Sequence, residues 1–120
     1  MTRSITISIP GVPEKEKDFT QQVRDLARAL GWLEYHPYRS DRSTPGFPDL
    51  VMVKAPRVIF AELKMAKGKV SHSQEIWLQE LNDCGGVETY LWRPQDRQEI
   101  ADCLSGRGGA SFEITVTEAE

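Results

Sequence analysis

Two runs decide the fold: Gly46-Phe47-Pro48-Asp49-Leu50-Val51, and Val58-Ile59-Phe60-Ala61-Glu62-Leu63-Lys64, whose glutamate follows the aspartate by thirteen residues. Leu50 to Val53 is a short apolar stretch bounded by turn signals. Val58 to Lys64 is another, and Ala55-Pro56-Arg57 joins them tightly, so the pair reads as an antiparallel hairpin. Strand residues two apart share a face, so Glu62 and Lys64 point one way while Ala61 and Leu63 point into the core. Asp49 opens the partner strand, and the hairpin brings its carboxylate towards Glu62.

Upstream, Phe19, Val23, Leu26, Ala27 and Leu30 recur at helical spacing, which predicts a helix over 14–30 stopped by Gly31. A strand over 32–38 and a polar, basic loop over 39–46 connect that helix to the hairpin. Downstream, Gly68 marks a second basic loop. Ser71 caps a helix to about Cys84, with Trp77, Leu78 and Leu81 expected to be buried and Gly85-Gly86 at its end. A strand over 87–92 and a short helix over 94–104, with Pro94 near its first turn, complete the order. Ser4 to Ile9 and Phe112 to Thr117 alternate with period two and read as terminal strands, to pair with each other or with a second subunit; 105–110 is a glycine-rich linker. Trp32, Trp77 and Trp92 read as core, and Cys84 as a small buried apolar residue. The expected fold is α/β, a mixed central β-sheet flanked by α-helices in two or three layers, forming one domain over 1–120 with its core at about 14–104.

Composition limits the alternatives. The 120 residues are 39% hydrophobic and 28% charged, ordinary for a globular chain. No apolar run reaches the roughly 18 residues of a membrane span, and the amino-terminal stretch alternates instead of forming a signal-peptide block. Two cysteines make neither a disulfide framework nor a zinc site, so the expected compartment is the cytoplasm. A net charge of -3 argues against a simple polyanion-coating protein, but that charge is uneven. Residues 24–69 hold nine basic and five acidic side chains, whereas 70–120 hold three and ten. The basic third contains both decisive runs, which points to a localised anion site.

The chemistry of those runs is specific. Two converging carboxylates repel unless a cation lies between them, and hard oxygen donors select magnesium, manganese or calcium over zinc or copper. Lys64 beside them would orient a water or steady a phosphate oxygen as negative charge builds. Carboxylates, metal and lysine around one water are the parts that phosphodiester hydrolysis requires. The blander account makes Asp49 a turn residue and Glu62-Leu63-Lys64 a solvated edge pair. It is weakened because the apolar strand ends in these charges where the run has room to continue.

Pro48-Asp49 with Glu62-Leu63-Lys64 resembles the PD-(D/E)xK nuclease superfamily, whose core is restriction-endonuclease-like. More closely, Thr44-Pro-Gly-Phe-Pro-Asp-Leu-Val, Ile59-Phe-Ala-Glu-Leu-Lys, Gly68, Ser71, Gln74, Trp77-Leu78 and Tyr90-Leu-Trp-Arg-Pro look like the small stand-alone VRR-NUC proteins, virus-type replication-repair nucleases often carried by phages and prophages. The resemblance covers about residues 14–104. It implies a nuclease dependent on Mg2+ or Mn2+, with Asp49, Glu62 and the Leu63 backbone carbonyl on the metal and Lys64 as the catalytic lysine. It further implies a carboxylate from the first helix, Glu16 or, two residues on, Asp18. It implies as well a DNA substrate, branched or four-way, cut by a homodimer. A non-catalytic DNA-binding or accessory module of the same fold is the alternative.

Gln74 has two readings: a residue near the active site, as the resemblance suggests, or the third helical residue of a Ser71 capping box. Arg39 and Arg42 before the Pro-Asp strand, and Lys67 and Lys69 after the Glu-x-Lys strand, flank the carboxylates and are the expected DNA-phosphate contacts. His36 and His72 are not required in a lysine-type site.

Overall fold

The computed structural model describes residues 2–10, 13–37, 44–106 and 111–119, the first and last of these spans by their backbone alone. The order is β1 (Thr2–Pro10), α1 (Glu16–Ala29), β2 (Leu33–Tyr35), β3 (Leu50–Lys54), β4 (Arg57–Leu63), α2 (His72–Asn82), β5 (Glu88–Trp92), a single 3-10 turn (Pro94–Asp96), α3 (Arg97–Ser105) and β6 (Ser111–Ala119). The central sheet runs β2-β3-β4-β5. β2, β3 and β4 form an antiparallel meander, and β5 returns parallel to β4 after the α2 crossover. This is the mixed α/β sheet expected, with the restriction-endonuclease-like order of helix, three antiparallel strands, helix and parallel strand. The two terminal strands pair with each other in parallel, Thr2 opposite Ser111 through Pro10 opposite Ala119.

The alternation in β3 and β4 separates two faces. Leu50, Met52, Ile59, Ala61 and Leu63 are fully buried on one face, where the apolar stripe of α1 and Ile100, Ala101 and Leu104 of α3 meet them. Burying a side chain of this size is worth roughly 1.5–3 kcal/mol, so this layer supplies most of the apolar stabilisation. Trp32 and Trp92 complete it, and the Trp32 indole donates to the Leu104 carbonyl at 2.7 Å. The opposite face carries Val51, Phe60 and Glu62. Phe47 stands edge-on to both Phe60 and Trp77, with centroids 6.2 and 5.1 Å apart, and so fastens α2 over that face. The layers are therefore α1 with α3, then the sheet, then α2.

Some expectations need correction. None of the α2 residues is fully buried: Trp77, Leu78 and Leu81 are half-buried, because α2 covers the sheet from outside and leaves a groove along β5. Cys84 is exposed, since it lies past the last turn of α2. Of the strand predicted over 32–38, the described part is strand at Leu33–Tyr35 only and Tyr38 lies outside the described residues, and α1 starts at Glu16 with no side-chain cap. Lys64 lies one residue beyond β4, and the closing helix opens as the 3-10 turn at Pro94.

At the end of the sheet away from Asp49, Arg57 gathers a polar cluster. Its guanidinium makes a two-point ion pair with Glu88 at 2.6 and 2.7 Å and donates to the Cys103 and Gly106 carbonyls at the end of α3. It also lies 5.1 Å from the Trp32 ring centre. α3 has no basic residue in its last turn, so Arg57 supplies the cation its terminal carbonyls favour. Hydrogen bonding to Arg57 holds the Glu88 carboxyl below its ordinary value, and burial and Glu88 push the Tyr90 phenol up.

Candidate active site

The register of the hairpin constructs the site. Leu50 pairs with Ala61, so continuing by one residue sets Asp49 opposite Glu62, on the face opposite the α1/α3 core. β3 begins at Leu50, so Asp49 lies just before its first residue, and there its Oδ2 accepts the Leu63 amide at 2.9 Å. That bond links the two runs directly. Across β4, the Lys64 amide donates to the Trp92 carbonyl at 3.0 Å, so the lysine is tied to β5 at the backbone although the strand has ended.

Asp49 is only 5% exposed and Glu62 not at all, whereas Lys64 is half-buried at the edge of the same face. Two carboxylates withdrawn from water side by side are costly to charge without a cation. The donor set is all oxygen, which fits a hard divalent ion. Among the described residues no group of three or more His, Cys, Asp or Glu is placed to hold a metal. Asp49 and Glu62 are the carboxylates that could hold such an ion.

Approach to Asp49 is set by Gly46. Its φ of +90° lies in the left-handed region, and a Cβ there would sit 2.4 Å from the Ser73 carbonyl oxygen. Only glycine lets the Gly46-Phe47-Pro48 turn lie against the first turn of α2 and deliver the buried Pro48-Asp49 to the sheet. His36, just past β2, lies with Nδ1 2.7 Å from the Asp49 carbonyl; since a carbonyl only accepts, that nitrogen carries the proton.

The other expected residues are placed as follows. Glu16 is the first residue of α1 and its carbonyl accepts from Thr20 Oγ1 at 2.9 Å; Asp18 is exposed. Neither is gathered with Asp49 and Glu62 into a three-carboxylate group. Gln74 is engaged in the capping box: its Oε1 accepts from the Ser71 amide at 2.8 Å and its amide donates to Ser71 Oγ at 3.2 Å. Lys67 and Lys69 are exposed on the loop after β4, Arg39 and Arg42 lie outside the described residues, and His72 is exposed. Sequence reasoning gave Arg93 no role, yet its Nη1 donates to the Met65 and Gly68 carbonyls at 2.6 and 2.8 Å. Its place immediately after the strand parallel to β4 was the available signal.

No characterised protein and no solved structure matches the chain. The model of the VRR-NUC domain family matches residues 11–95, which span α1 to β5 and contain every residue of the hairpin site. The chain belongs to the VRR-NUC family of nucleases.

Proposed function

We propose that the protein is a divalent-metal-dependent endonuclease that hydrolyses DNA phosphodiester bonds. The observation that carries this reading is the Asp49 carboxylate bonded to the Leu63 amide, which sets the aspartate beside Glu62 and next to Lys64. Asp49, Glu62 and the Leu63 carbonyl are the residues that would hold Mg2+ or Mn2+. When bound, the ion supplies positive charge against the phosphate and polarises it. The protein's own residues do the rest. Lys64 orients the attacking water and stabilises negative charge on the phosphate as the new P–O bond forms and the bond to the sugar oxygen breaks. Exposed Lys67 and Lys69, with Arg39 and Arg42, hold neighbouring backbone phosphates. Glu16, or Asp18, would join from α1 only if that helix start moves towards the sheet. Gln74 is assigned no step, since the cap of α2 uses its side chain. The substrate is branched or four-way DNA and the working form a homodimer, because one 13.6 kDa subunit carries a single site and paired cuts need two.

The test is cleavage of linear, single-stranded, flap and four-way DNA with Mg2+ and then Mn2+. Lys64→Ala and Asp49→Ala should abolish it while both proteins stay folded; full activity in either would sink the assignment. Saturating Mn2+ should raise the stability of the unmutated protein by roughly 2.7 kcal/mol at a hundred times Kd, and Asp49→Ala should lose that gain. DNA binding indifferent to chelator, with no cleavage, would identify a non-catalytic module. A monomeric mass by light scattering at working concentration would count against paired cutting of junctions.

A further inference from the structure

The turn that follows Glu62-Leu63-Lys64 is built around one side chain. Met65 to Gly68 is closed by the Gly68 amide donating to the Met65 carbonyl at 2.9 Å. Arg93 Nη1 has two N–H bonds and gives one to each carbonyl at the ends of that turn, Met65 at 2.6 Å and Gly68 at 2.8 Å. Arg93 is itself fixed, since its backbone amide donates to Asp96 Oδ2 at 2.8 Å and it directly follows Trp92, whose carbonyl takes the Lys64 amide. The turn lies against the lysine: a Cβ on Gly68 would meet the Lys64 Cδ at 3.5 Å and the Met65 carbonyl oxygen at 3.3 Å.

We infer that Arg93 is a positioning residue for Lys64: it clamps the Met65–Gly68 turn against the aliphatic stem of the lysine and so sets where the ammonium stands relative to Asp49 and Glu62. Arg93 touches neither DNA nor metal in this role. The inference rests on the nuclease reading for its effect on rate, and on geometry alone for its effect on the turn. Displacing a reacting group by about 1 Å costs on the order of a hundredfold in rate, so a loosened lysine is a kinetic fault more than a binding fault.

The experiment compares Arg93→Met and Arg93→Lys with the unmutated protein and Lys64→Ala. Single-turnover cleavage of a branched DNA with Mn2+, DNA affinity, Mn2+ affinity and hydrogen exchange at the Gly68 amide are measured for each. Arg93→Met should slow the cleavage step by about tenfold or more, leave DNA and Mn2+ affinity within about twofold, and speed Gly68 exchange. Arg93→Lys, whose ammonium has three donors for the two carbonyls, should recover most of both. If Arg93→Met does not fold at the assay temperature, Arg93→Lys carries the comparison: a rate near that of the unmutated protein is the expected result, and a rate as low as that of Lys64→Ala with unchanged Gly68 exchange overturns the proposal. Unchanged cleavage with faster Gly68 exchange overturns the link to Lys64. Unchanged Gly68 exchange in Arg93→Met overturns the clamp, even if no form of the protein cleaves DNA. Lack of cleavage by the unmutated protein on every substrate would refute the nuclease reading instead.

Discussion

Gly46→Ala should damage stability and cleavage together, and the size of the effect follows from the structure. A non-glycine residue at a φ of +90° costs about 1–2 kcal/mol. The added Cβ also meets backbone, at 2.4 Å from the Ser73 oxygen, 2.5 Å from its carbonyl carbon and 2.9 Å from the Gln74 nitrogen. Reaching even the 3.0 Å limit needs a separation of about 0.6 Å (3.0 less 2.4), and the obstacle is the capped first turn of α2. Overpacking of this kind costs about 1–3 kcal/mol more. The total of about 2–5 kcal/mol corresponds to a fall in Tm of roughly 8–20 °C for a domain of this length. Because Asp49 is three residues on, the same displacement should slow cleavage by about tenfold or more at temperatures where the variant is folded. Gly85→Ala is the internal control: nothing lies within 4 Å of its Cβ position, so its Tm should stay within about 3 °C. Calorimetric melts and single-turnover cleavage of both variants are the assays. A Gly46→Ala melt matching that of Gly85→Ala would refute the contact argument. A destabilised variant with undiminished cleavage would refute the coupling of this turn to Asp49.

Arg57→Met should destabilise by about 3 kcal/mol, as it strands Glu88 and uncovers the carbonyls at the end of α3; a urea titration measures it. Glu88 ionises more readily in the folded state, chiefly through Arg57, so its contribution is present above the ordinary carboxylate value of 4.5 and lost as pH falls through the lower folded value. Glu88→Gln should therefore flatten the acid limb of a Tm-against-pH plot, and an unchanged limb would refute the assignment. Tyr90 has the opposite sign: burial and Glu88 raise its folded value, so its contribution is full below pH 10 and lost above it, and Tyr90→Phe should blunt the alkaline fall. Ser71→Ala should cost about 1 kcal/mol, while Gln74→Glu, which keeps the capping acceptor, should hold both Tm and cleavage rate. A large loss of cleavage in Gln74→Glu at unchanged Tm would move Gln74 from the cap to the chemistry.

The approach of the two runs was legible in the sequence where strand periodicity carried it. Residues two apart on β4 had to share a face and a tight turn had to join the two runs. But that turn is Ala55-Pro56 with Arg57 already paired to Lys54, one residue shorter than the Ala55-Pro56-Arg57 connection expected, and this shift is what sets Asp49 opposite Glu62. Gly31, read as the stop of the first helix, has positive φ there. Connections that depend on three-dimensional approach were not legible. Arg93 reaches back 25 residues to Gly68 and Arg57 forward 46 to Cys103, and neither spacing follows a local period. Helical periodicity marked the inner side of α2 correctly but overstated its burial, since a period reports direction and not the depth of what lies beyond. The resemblance drew a carboxylate from α1, yet Glu16 sits at that helix's first residue, a position whose reach depends on the helix start and not on its stripe.

β4 is moored at both ends. At its start Arg57 is tied to Glu88 and to the end of α3, and at its finish the Leu63 amide is tied to Asp49 and the Lys64 amide to Trp92. A rod pinned in this way is a poor hinge. Any opening of this face would come from α2, none of whose residues is fully buried, while β4 and the Met65–Gly68 turn held by Arg93 stay in place. The molecule would then breathe like a lid over an anvil, with β4 the last strand to give up its amide protons and the carboxylates already in register when the duplex arrives.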